Sequence, residues 1–508
     1  MSQTADVPSA SPPRDVQSAE QLVPTGAADG GVARPGLVLL LLCVAEFMIV
    51  LDFSITNVAL PDIQASLGFS TGALQWVVSA YALAFGGFLM LGGRIGDLYG
   101  RRKLFIGGLI AFALISLVAG LAQNADQLIA LRAAQGLGAA LVAPAALSLL
   151  TTTFAEGEAR NRALGVYGAV LSFGFVAGVI AGGVLTDLIS WRWVFFVNVP
   201  IGLAAGAIAP ALLKESKGDR SSSHGLDVPG AVAITGSVLA LVYAVSRGQA
   251  AGWASGEILG AFAGCAVLLA AFLVVESRVS APLIPLSVFR MRSLTAANIV
   301  YLLMVGSFVA VTYVLTLYLQ LVKGYSPLAT GLTFSVLGFA AVGAGMVAAK
   351  LAGRFGLSVT AFTGLALQSV GMLVCAFLPH SGDLALILVG TALVGFGNVT
   401  GVVMVTISGT AGVPDHQQGL ASALLSTAQQ LGAAIGVAAF AAIASARTSS
   451  LLPHGVALEN AGHPALVSGY RLALGVSFAV GVVGSLVGLV ALRAPKAAPA
   501  KEETAVAV

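Results

Sequence analysis

Runs of about twenty apolar residues recur along the whole chain, and they constrain its fold more than any other feature. A helix that crosses a bilayer needs about 20 mostly apolar residues. Charged residues form only 9% of the 508-residue sequence, whereas a soluble domain carries roughly 25%. The sequence therefore predicts an all-α polytopic membrane protein with 14 transmembrane helices. The predicted spans are 37–57, 74–94, 104–123, 127–153, 163–186, 194–213, 228–246, 257–275, 296–320, 328–349, 357–378, 384–408, 419–445 and 469–493.

The positions of Lys and Arg indicate how these spans are oriented. With an even number of spans, both termini lie on one side of the membrane. If the N-terminus is cytoplasmic, 19 of the 25 basic residues fall in cytoplasmic segments, five in external segments, and one, Arg132, within the membrane. Because cytoplasmic loops carry an excess of Lys and Arg, both termini are predicted to be cytoplasmic. Residues 1–35 lack the apolar core of a signal peptide and are interpreted as a disordered tail.

Asp52 and Arg132 are charged residues within predicted spans, where a charge costs about 2.5–3.5 kcal/mol on insertion scales. Each lies about five residues from the outer end of its span, or roughly 7–8 Å beneath the same surface. Their depths therefore allow an ion pair. Gln135 lies one turn from Arg132 on the same helix face and is predicted to extend this network. The pair could take part in coupling transport to protons, or it could only tie two helices together.

Glu46 lies about eleven residues from the outer end of the first span, roughly 16 Å down and close to the midplane. It precedes Asp52 by six residues, so the two side chains point about 120° apart. An apolar setting favours the protonated form of a carboxyl, which makes Glu46 a candidate proton carrier. Alternatively, Glu46 attracts a cation in a substrate cavity, or it is a protonated group hydrogen-bonded to a neighbouring helix.

The segment from Gly93 to Lys103, which joins the second and third spans, is dense in glycine and charge for so short a connection. It resembles the signature loop of the major facilitator superfamily, and a shorter echo occupies residues 350–356. The resemblance implies that this loop gates the conformational change. The residues that carry the predicted gate motif are Gly93, Asp97, Gly100, Arg101 and Arg102.

Four further segments narrow the resemblance: Leu51–Pro61, Leu131–Gly136, Trp191–Pro200 and Tyr318–Pro327. Together with fourteen spans, they are similar to the fourteen-helix drug:proton antiporter family. That family has two six-helix repeats with two intervening helices. The implied organisation is a tail (1–35), an N-terminal bundle (36–213), a cytoplasmic linker (214–227), two additional helices (228–276), a second cytoplasmic linker (277–294), a C-terminal bundle (295–493) and a cytoplasmic tail (494–508).

The resemblance implies a secondary transporter that exports a small organic molecule in exchange for protons, with Asp52, Glu46 and Arg132 as the proton-coupling residues. In the fifth span, Gly174, Gly178 and Gly182 recur every four residues and predict close helix packing. The family's antiporter motif usually has Pro where Val179 stands. Polar and aromatic residues within the spans are further candidates for the substrate cavity. Besides Gln135, they are Trp76, Tyr81, Asn298, Tyr301, Asn398, Gln429 and Gln430.

Other function classes find less support in the sequence. It has no GxxxxGK[ST] phosphate loop, so no nucleotide is expected; no metal, no other cofactor and no nucleic acid are expected either. A membrane-embedded enzyme would need clustered His, Cys or carboxylate residues. A proton-coupled importer and a membrane receptor or scaffold remain as alternatives. The predicted location is the bacterial inner membrane, and the predicted partners of this monomeric protein are the lipid bilayer, protons and a small molecule.

Overall fold

The structure, a computed structural model, describes residues 34–70, 72–154, 158–215, 227–279, 282, 286–377, 384–411, 413, 418–452 and 462–492. The predicted N-terminal tail apart from residues 34 and 35, the predicted C-terminal tail and most of the linker 214–227 lie outside the described residues. Fifteen α-helices make up nearly all of the described chain. They are α1 (Pro35–Leu67), α2 (Trp76–Tyr99), α3 (Arg101–Gly120), α4 (Ala125–Thr153), α5 (Glu158–Leu188), α6 (Trp193–Phe196), α7 (Asn198–Leu212), α8 (Val228–Ala251), α9 (Gly256–Arg278), α10 (Arg292–Leu317), α11 (Pro327–Phe355), α12 (Leu357–Ala376), α13 (Leu384–Thr410), α14 (Gln418–Ser450) and α15 (His463–Ala491).

Thirteen segments of the described chain are helical, long and apolar enough to cross a membrane. One of them, Trp193–Leu212, combines α6 and α7. The predicted span 228–246 lies within α8, whose apolar part, Pro229–Val245, is shorter than the others. This part of α8 is apolar enough for a crossing, and only its length falls below that of the thirteen spans. The prediction of an all-helical membrane protein is therefore confirmed, with thirteen spans among the described residues that meet both criteria.

Helix α1 extends ten residues beyond the predicted end at residue 57 and stops at Leu67. Pro61 lies inside it, and Gly68 ends it in the left-handed conformation with φ of 68°. Glycine adopts this conformation without the steric cost that a Cβ brings. The end of the apolar run is thus not the end of the helix, because residues such as Asp62 and Gln64 continue the helical path before the glycine cap.

Side-chain caps fix where several other helices begin. The first unpaired backbone amides of a helix are commonly bound by a side-chain oxygen just before it. Asn124 accepts from the amide of Gln127 at 2.9 Å before α4, and Asp227 accepts from that of Gly230 at 2.8 Å before α8. These caps help to explain why α4 begins two residues before its predicted span.

The helices pack into two groups, and a hairpin joins them. In the N-terminal group, α1 packs on α5, α4 and α7, while α4 also packs on α2 and α3. In the C-terminal group, α10 packs on α13, α14 and α15, and α12 packs on α13 and α15. The main contacts between the groups are those of α5 with α11 and of α2 with α14, and α1 also touches α10 and α11. Helix α8 touches both α2 and α14, whereas α9 packs on α8 and is largely exposed.

Several contacts between the groups lie toward the end of the bundle at which α1 ends, which we call the Leu67 side. The Gln320 side chain donates to the Val58 carbonyl at 2.8 Å. Gln320 lies in a π-helical turn, Tyr318–Val322, which follows α10 directly. A Cβ on Gly183 would lie 2.7 Å from the Leu328 Cα. Helices α5 and α11 therefore approach each other at backbone distance on this side.

Candidate functional site

A buried ion pair joins α1 to α4. The Arg132 Nη1 atom donates to Asp52 Oδ2 at 2.6 Å, and the two side chains are 1% and 0% exposed. Arg132 also donates through Nε to the Val77 carbonyl of α2 at 2.9 Å. A buried charge is tolerated when it is paired and its remaining hydrogen-bonding capacity is satisfied. Arg132 thus links three helices around one carboxylate.

Two amide side chains complete the shell around Asp52. Asn198, the first residue of α7, donates to Asp52 Oδ1 at 2.7 Å. Gln135 donates to the same oxygen at 3.2 Å and to Ser116 Oγ of α3 at 2.7 Å, while it accepts from Arg132 at 3.0 Å. Both carboxylate oxygens therefore have donors, and helices α1, α2, α3, α4 and α7 all contribute to one polar centre. The sequence indicated Gln135 for this centre but not Asn198 or Ser116.

The ring of Tyr81 forms a platform for this centre. The Arg132 guanidinium carbon lies 4.3 Å from the Tyr81 ring centroid, a cation–π distance. The ring also contacts Phe53 of α1 and Phe85 of α2, with centroids 6.3 and 6.0 Å away. The tyrosine is 1% exposed, and its hydroxyl has no hydrogen-bond partner within the described part of the chain. Tyr81 was predicted to line a cavity, and the structure places it against Arg132.

Glu46 lies apart from the Asp52 centre and has a different partner. Its Oε2 accepts a hydrogen bond from the Tyr167 hydroxyl of α5 at 2.7 Å. The Glu46 side chain is 8% exposed, whereas Asp52 is fully enclosed. Glu46 thus has one protein donor described, and Asp52 has three. Nothing in the sequence singled out Tyr167, because a tyrosine in an apolar span is common and its partner lies 121 residues away.

The remaining predicted cavity residues do not gather around these acids. Asn298 donates to the Leu294 carbonyl of its own helix at 2.8 Å. Tyr301 bonds Thr406 at 2.6 Å, and Asn398 donates to Gln368 at 3.2 Å, both within the C-terminal group. Three others are half-buried at the ends or contact faces of their helices: Trp76, Gln429 and Gln430. A polar residue in a span can satisfy itself locally, so these residues stay predictions for the substrate cavity.

The loop between α2 and α3 is a single residue, Gly100, with φ of 115°. Any other residue at this position would have a strained backbone, and its Cβ would collide with the Glu215 carboxylate. Both reasons favour glycine. The Arg102 amide donates to Glu215 Oε1 at 3.1 Å, and its guanidinium donates to the Leu213 carbonyl at 3.1 Å. This loop is thus hydrogen-bonded to the segment that follows α7.

The other motif residues occupy the same helix ends. Gly93 faces Pro144 of α4, while Arg94 and Arg101 lie on either side of the turn. The side chain of Asp97 lies outside the described residues. The echo of the loop has a matching geometry, since Gly356, with φ of 84°, is the only residue between α11 and α12.

The three glycines of α5 face α1. A Cβ on Gly174 would lie 3.3 Å from Val50, one on Gly178 would overlap Ser54, and one on Gly182 would lie 2.8 Å from the Ile55 carbonyl. Val179 is buried, and its carbonyl faces Gly331 of α11. Helix α5 is continuous from Glu158 to Leu188. The valine therefore keeps a backbone hydrogen bond that a proline would remove.

The described residues hold no group of three or more His, Cys, Asp or Glu side chains that could bind a metal ion. The polar centre consists of an ion pair with amide and hydroxyl partners. Such a set can bind and release a proton and can change partners between two helix arrangements. It has no arrangement of nucleophile and base.

Comparison with known proteins agrees with this architecture. The family model of the Major Facilitator Superfamily matches residues 42–437. The chain belongs to the Major Facilitator Superfamily. The human organic anion transporter MFSD10 superposes with a TM-score of 0.60 at 16% identity, covering 89% of this chain and 98% of that one. The transporter PepTSo gives 0.62 at 12% identity, covering 89% and 97%. The superfamily fold is therefore confirmed.

Several curated relatives carry the names of antibiotic resistance or export proteins. The chain is 36% identical to the puromycin resistance protein pur8 of Streptomyces alboniger, with 91% of this chain and 92% of the relative covered. It is 40% identical to the cephamycin export protein CmcT of Amycolatopsis lactamdurans, with 81% and 85% covered. The chain is thus a membrane transporter of the superfamily's drug-exporter type and not an enzyme, which confirms the predicted class.

Proposed function

We propose that the chain exchanges protons for an outward-moving small organic molecule across the bacterial cytoplasmic membrane. The observation that carries this proposal is the enclosed Asp52–Arg132 pair with its complete shell of donors. A charge in the hydrocarbon region is costly and typically belongs to an ion pathway or a proton relay. Protonation of Asp52 would weaken its attraction for Arg132, and this changes the relative stability of two helix arrangements.

The same centre can transmit such a change because its members belong to different helices. Arg132 binds α1 through Asp52 and α2 through the Val77 carbonyl. Helix α2 in turn contacts α14 of the C-terminal group, where Ser79 donates to the Ala434 carbonyl at 3.2 Å. A proton on Asp52 can therefore bias how the two groups meet. A ligand or proton shifts an equilibrium only through such a difference between states.

The proposed transport cycle alternates access to a site between the two groups, as in superfamily transporters built from six-helix repeats. We assign the repeats to α1–α7 and α10–α15, with α8 and α9 as the two additional helices of a fourteen-span chain. The matching glycine turns at Gly100 and Gly356 support this layout. The Lys and Arg distribution supports cytoplasmic termini, which puts the Leu67 side outside.

The proposed substrate class is a small antibiotic or drug, and the protein would act as a monomer. The names of its relatives include puromycin, cephamycin, tetracenomycin C and lincomycin, which differ widely in chemistry. Breadth of this kind favours an apolar site with few fixed polar contacts. Glu46, with its small exposed surface, favours cationic, amphipathic compounds among them.

Asp52→Asn tests this proposal in proteoliposomes that hold the purified protein. Export of puromycin, lincomycin and ethidium is measured with and without an imposed proton gradient. The wild type is expected to move at least one compound outward faster with the gradient. Asp52→Asn should lose about tenfold or more of that gradient-driven rate, since it cannot release a proton.

Asp126→Asn is the matched control, because Asp126 is an exposed carboxylate at the first turn of α4. It should export at the wild-type rate. Inward movement of solute with protons would instead identify an importer. Gradient-driven export by Asp52→Asn at the wild-type rate would show that Asp52 does not couple transport to protons. No movement of any compound by the wild type would point to a receptor or scaffold.

A further inference from the structure

The residues that surround Asp52 leave no described path by which a proton could reach its carboxylate. The carboxylate is fully enclosed, and both of its oxygens are occupied by Arg132, Gln135 and Asn198. A proton must nevertheless reach it if it is to take part in exchange. Glu46 is on the same helix and retains some exposed surface. A proton could therefore enter at Glu46 and continue to Asp52.

Direct transfer between the two carboxyl groups is prevented by distance. Six residues of α-helix separate Glu46 from Asp52 by about 9 Å along the axis and about 120° around it. Proton transfer requires hydrogen-bond contact, at roughly 2.6–3.2 Å between the heavy atoms. A third group must therefore lie between them.

We propose that the Tyr81 hydroxyl is the proton relay between Glu46 and Asp52. The ring is fixed beneath Arg132 and against Phe53, which follows Asp52 on α1 and lies about two helical turns from Glu46 on the same helix face. The hydroxyl is buried and has no partner among the described residues. A buried hydroxyl without a partner is costly, so it is expected to serve a group that approaches it during the cycle.

The charged groups that face Tyr81 support this assignment. Glu46 and Asp52 of α1 and Arg132 of α4 all act electrostatically on its hydroxyl. The residues of α14 and α8 described against Gly86 and Gly87 of α2, beyond Tyr81, are uncharged. These are Gln430 and Thr427 of α14 and Thr235 of α8. Two carboxyl groups and one cation therefore act on Tyr81, and the cation stacks on its ring.

The relay step conserves protons and charge. The carboxyl proton of Glu46 passes to the Tyr81 oxygen, while the hydroxyl proton of Tyr81 passes to the Asp52 carboxylate. Tyr81 remains neutral, Glu46 becomes charged and Asp52 becomes neutral. Tyr167 can then stabilise the new Glu46 carboxylate through its existing hydrogen bond. Arg132 loses its anionic partner, which links proton arrival to helix rearrangement. This inference rests on the proposed function.

Tyr81→Phe tests the relay, because it removes the hydroxyl but keeps the ring on which Arg132 stacks. Tyr313→Phe is the matched control. Tyr313 of α10 is also buried and also has a hydroxyl without a partner in the described residues, but it belongs to the C-terminal group. Puromycin is the probe, and three quantities are measured in proteoliposomes: its binding constant, its gradient-driven export, and its exchange across the membrane without a gradient.

Tyr81→Phe is expected to slow gradient-driven export by about tenfold or more, with binding and gradient-free exchange at wild-type values. Tyr313→Phe should match the wild type in all three. Wild-type export by Tyr81→Phe would overturn the relay while leaving the proposed function intact, provided that Asp52→Asn still loses coupling. Weaker puromycin binding by Tyr81→Phe alone would also overturn it and identify Tyr81 as a substrate contact. Absence of gradient-driven export in the wild type would remove the proposed function and the relay together.

Discussion

At the scale of single residues, Arg132 makes the largest number of distinct interactions in the polar centre. It pairs with Asp52, bonds the Val77 carbonyl, contacts Gln135 and stacks on Tyr81. These contacts use different edges and the face of one planar guanidinium. A lysine ammonium is a compact charge and cannot reproduce this geometry.

We therefore predict that Arg132→Lys keeps the charge but loses function. Gradient-driven export should fall about tenfold or more, because a lysine can satisfy Asp52 or the Val77 carbonyl but not both. The protein's thermal unfolding midpoint in detergent should also drop. Arg247→Lys is the control, since Arg247 is more than half exposed and pairs with an exposed glutamate. Equal export by both variants would mean that charge alone is needed at position 132.

Part of this centre could be predicted from the sequence and part could not. Asp52 and Arg132 could be predicted because each is a charged residue inside an apolar run. Their depths in the membrane follow from counting residues to the end of the span. Asn198, Ser116 and Tyr167 carry no charge, so nothing in their own spans distinguishes them. Their roles depend on how helices rotate against each other, and packing of the whole bundle decides that rotation.

At the scale of the helix, the α1–α5 contact depends on the absence of side chains at three positions. Gly174, Gly178 and Gly182 lie on one face, as the four-residue spacing indicated, and each meets α1 at close range. Small residues allow backbones to approach without loss of packing. The ends of the helices were harder to predict, because a cap such as Gly68 or Asn124 acts outside the apolar run.

Gly178→Ala is predicted to destabilise the protein, because the added methyl group would overlap Ser54 of α1. Overpacking of this kind typically costs about 1–3 kcal/mol. Gly168→Ala, on the same helix, is the control, since nothing lies within 4 Å of a Cβ there. Removing a helical glycine at an open position should be neutral or stabilising by about 0.5–1 kcal/mol. Thermal unfolding in detergent measures both, and an unchanged midpoint for Gly178→Ala would show that α1 and α5 can separate freely.

At the scale of the whole molecule, the N-terminal and C-terminal groups of helices meet along a few helix pairs. These contacts must separate if the substrate site is to open to each side of the membrane in turn. On the line where α5 meets α11, a Cβ on Gly338 would lie 3.2 Å from the Val176 Cβ. Disulfides have Cβ separations of roughly 3.5–4.5 Å. A cysteine pair at these positions can therefore bond after a small adjustment.

We predict that Val176→Cys with Gly338→Cys, in a chain whose three native cysteines are replaced by serine, forms a disulfide on oxidation and stops export. Reduction should restore export. The control is Gly390→Cys in a chain that keeps Cys375 and has only Cys43 and Cys265 replaced by serine; it would join α12 to α13 inside one group, where Gly390 lies against the Cys375 sulfur. That bond should leave export unchanged. Full export by the oxidised Val176–Gly338 variant would mean that α5 and α11 do not move apart in the cycle.

The lone position of α9 has a consequence for how the sequence can vary. Its described neighbour in the bundle is chiefly α8, and most of its apolar surface is exposed, which leaves that surface for lipid tails in a membrane. A lipid-exposed surface needs only to be hydrophobic and long enough to span the membrane, so many apolar substitutions along α9 should be tolerated equally well. Helix α8, wedged against α2 and α14, must satisfy specific partners. Mutational drift should therefore accumulate on the outer helix of this hairpin while its inner helix stays nearly fixed.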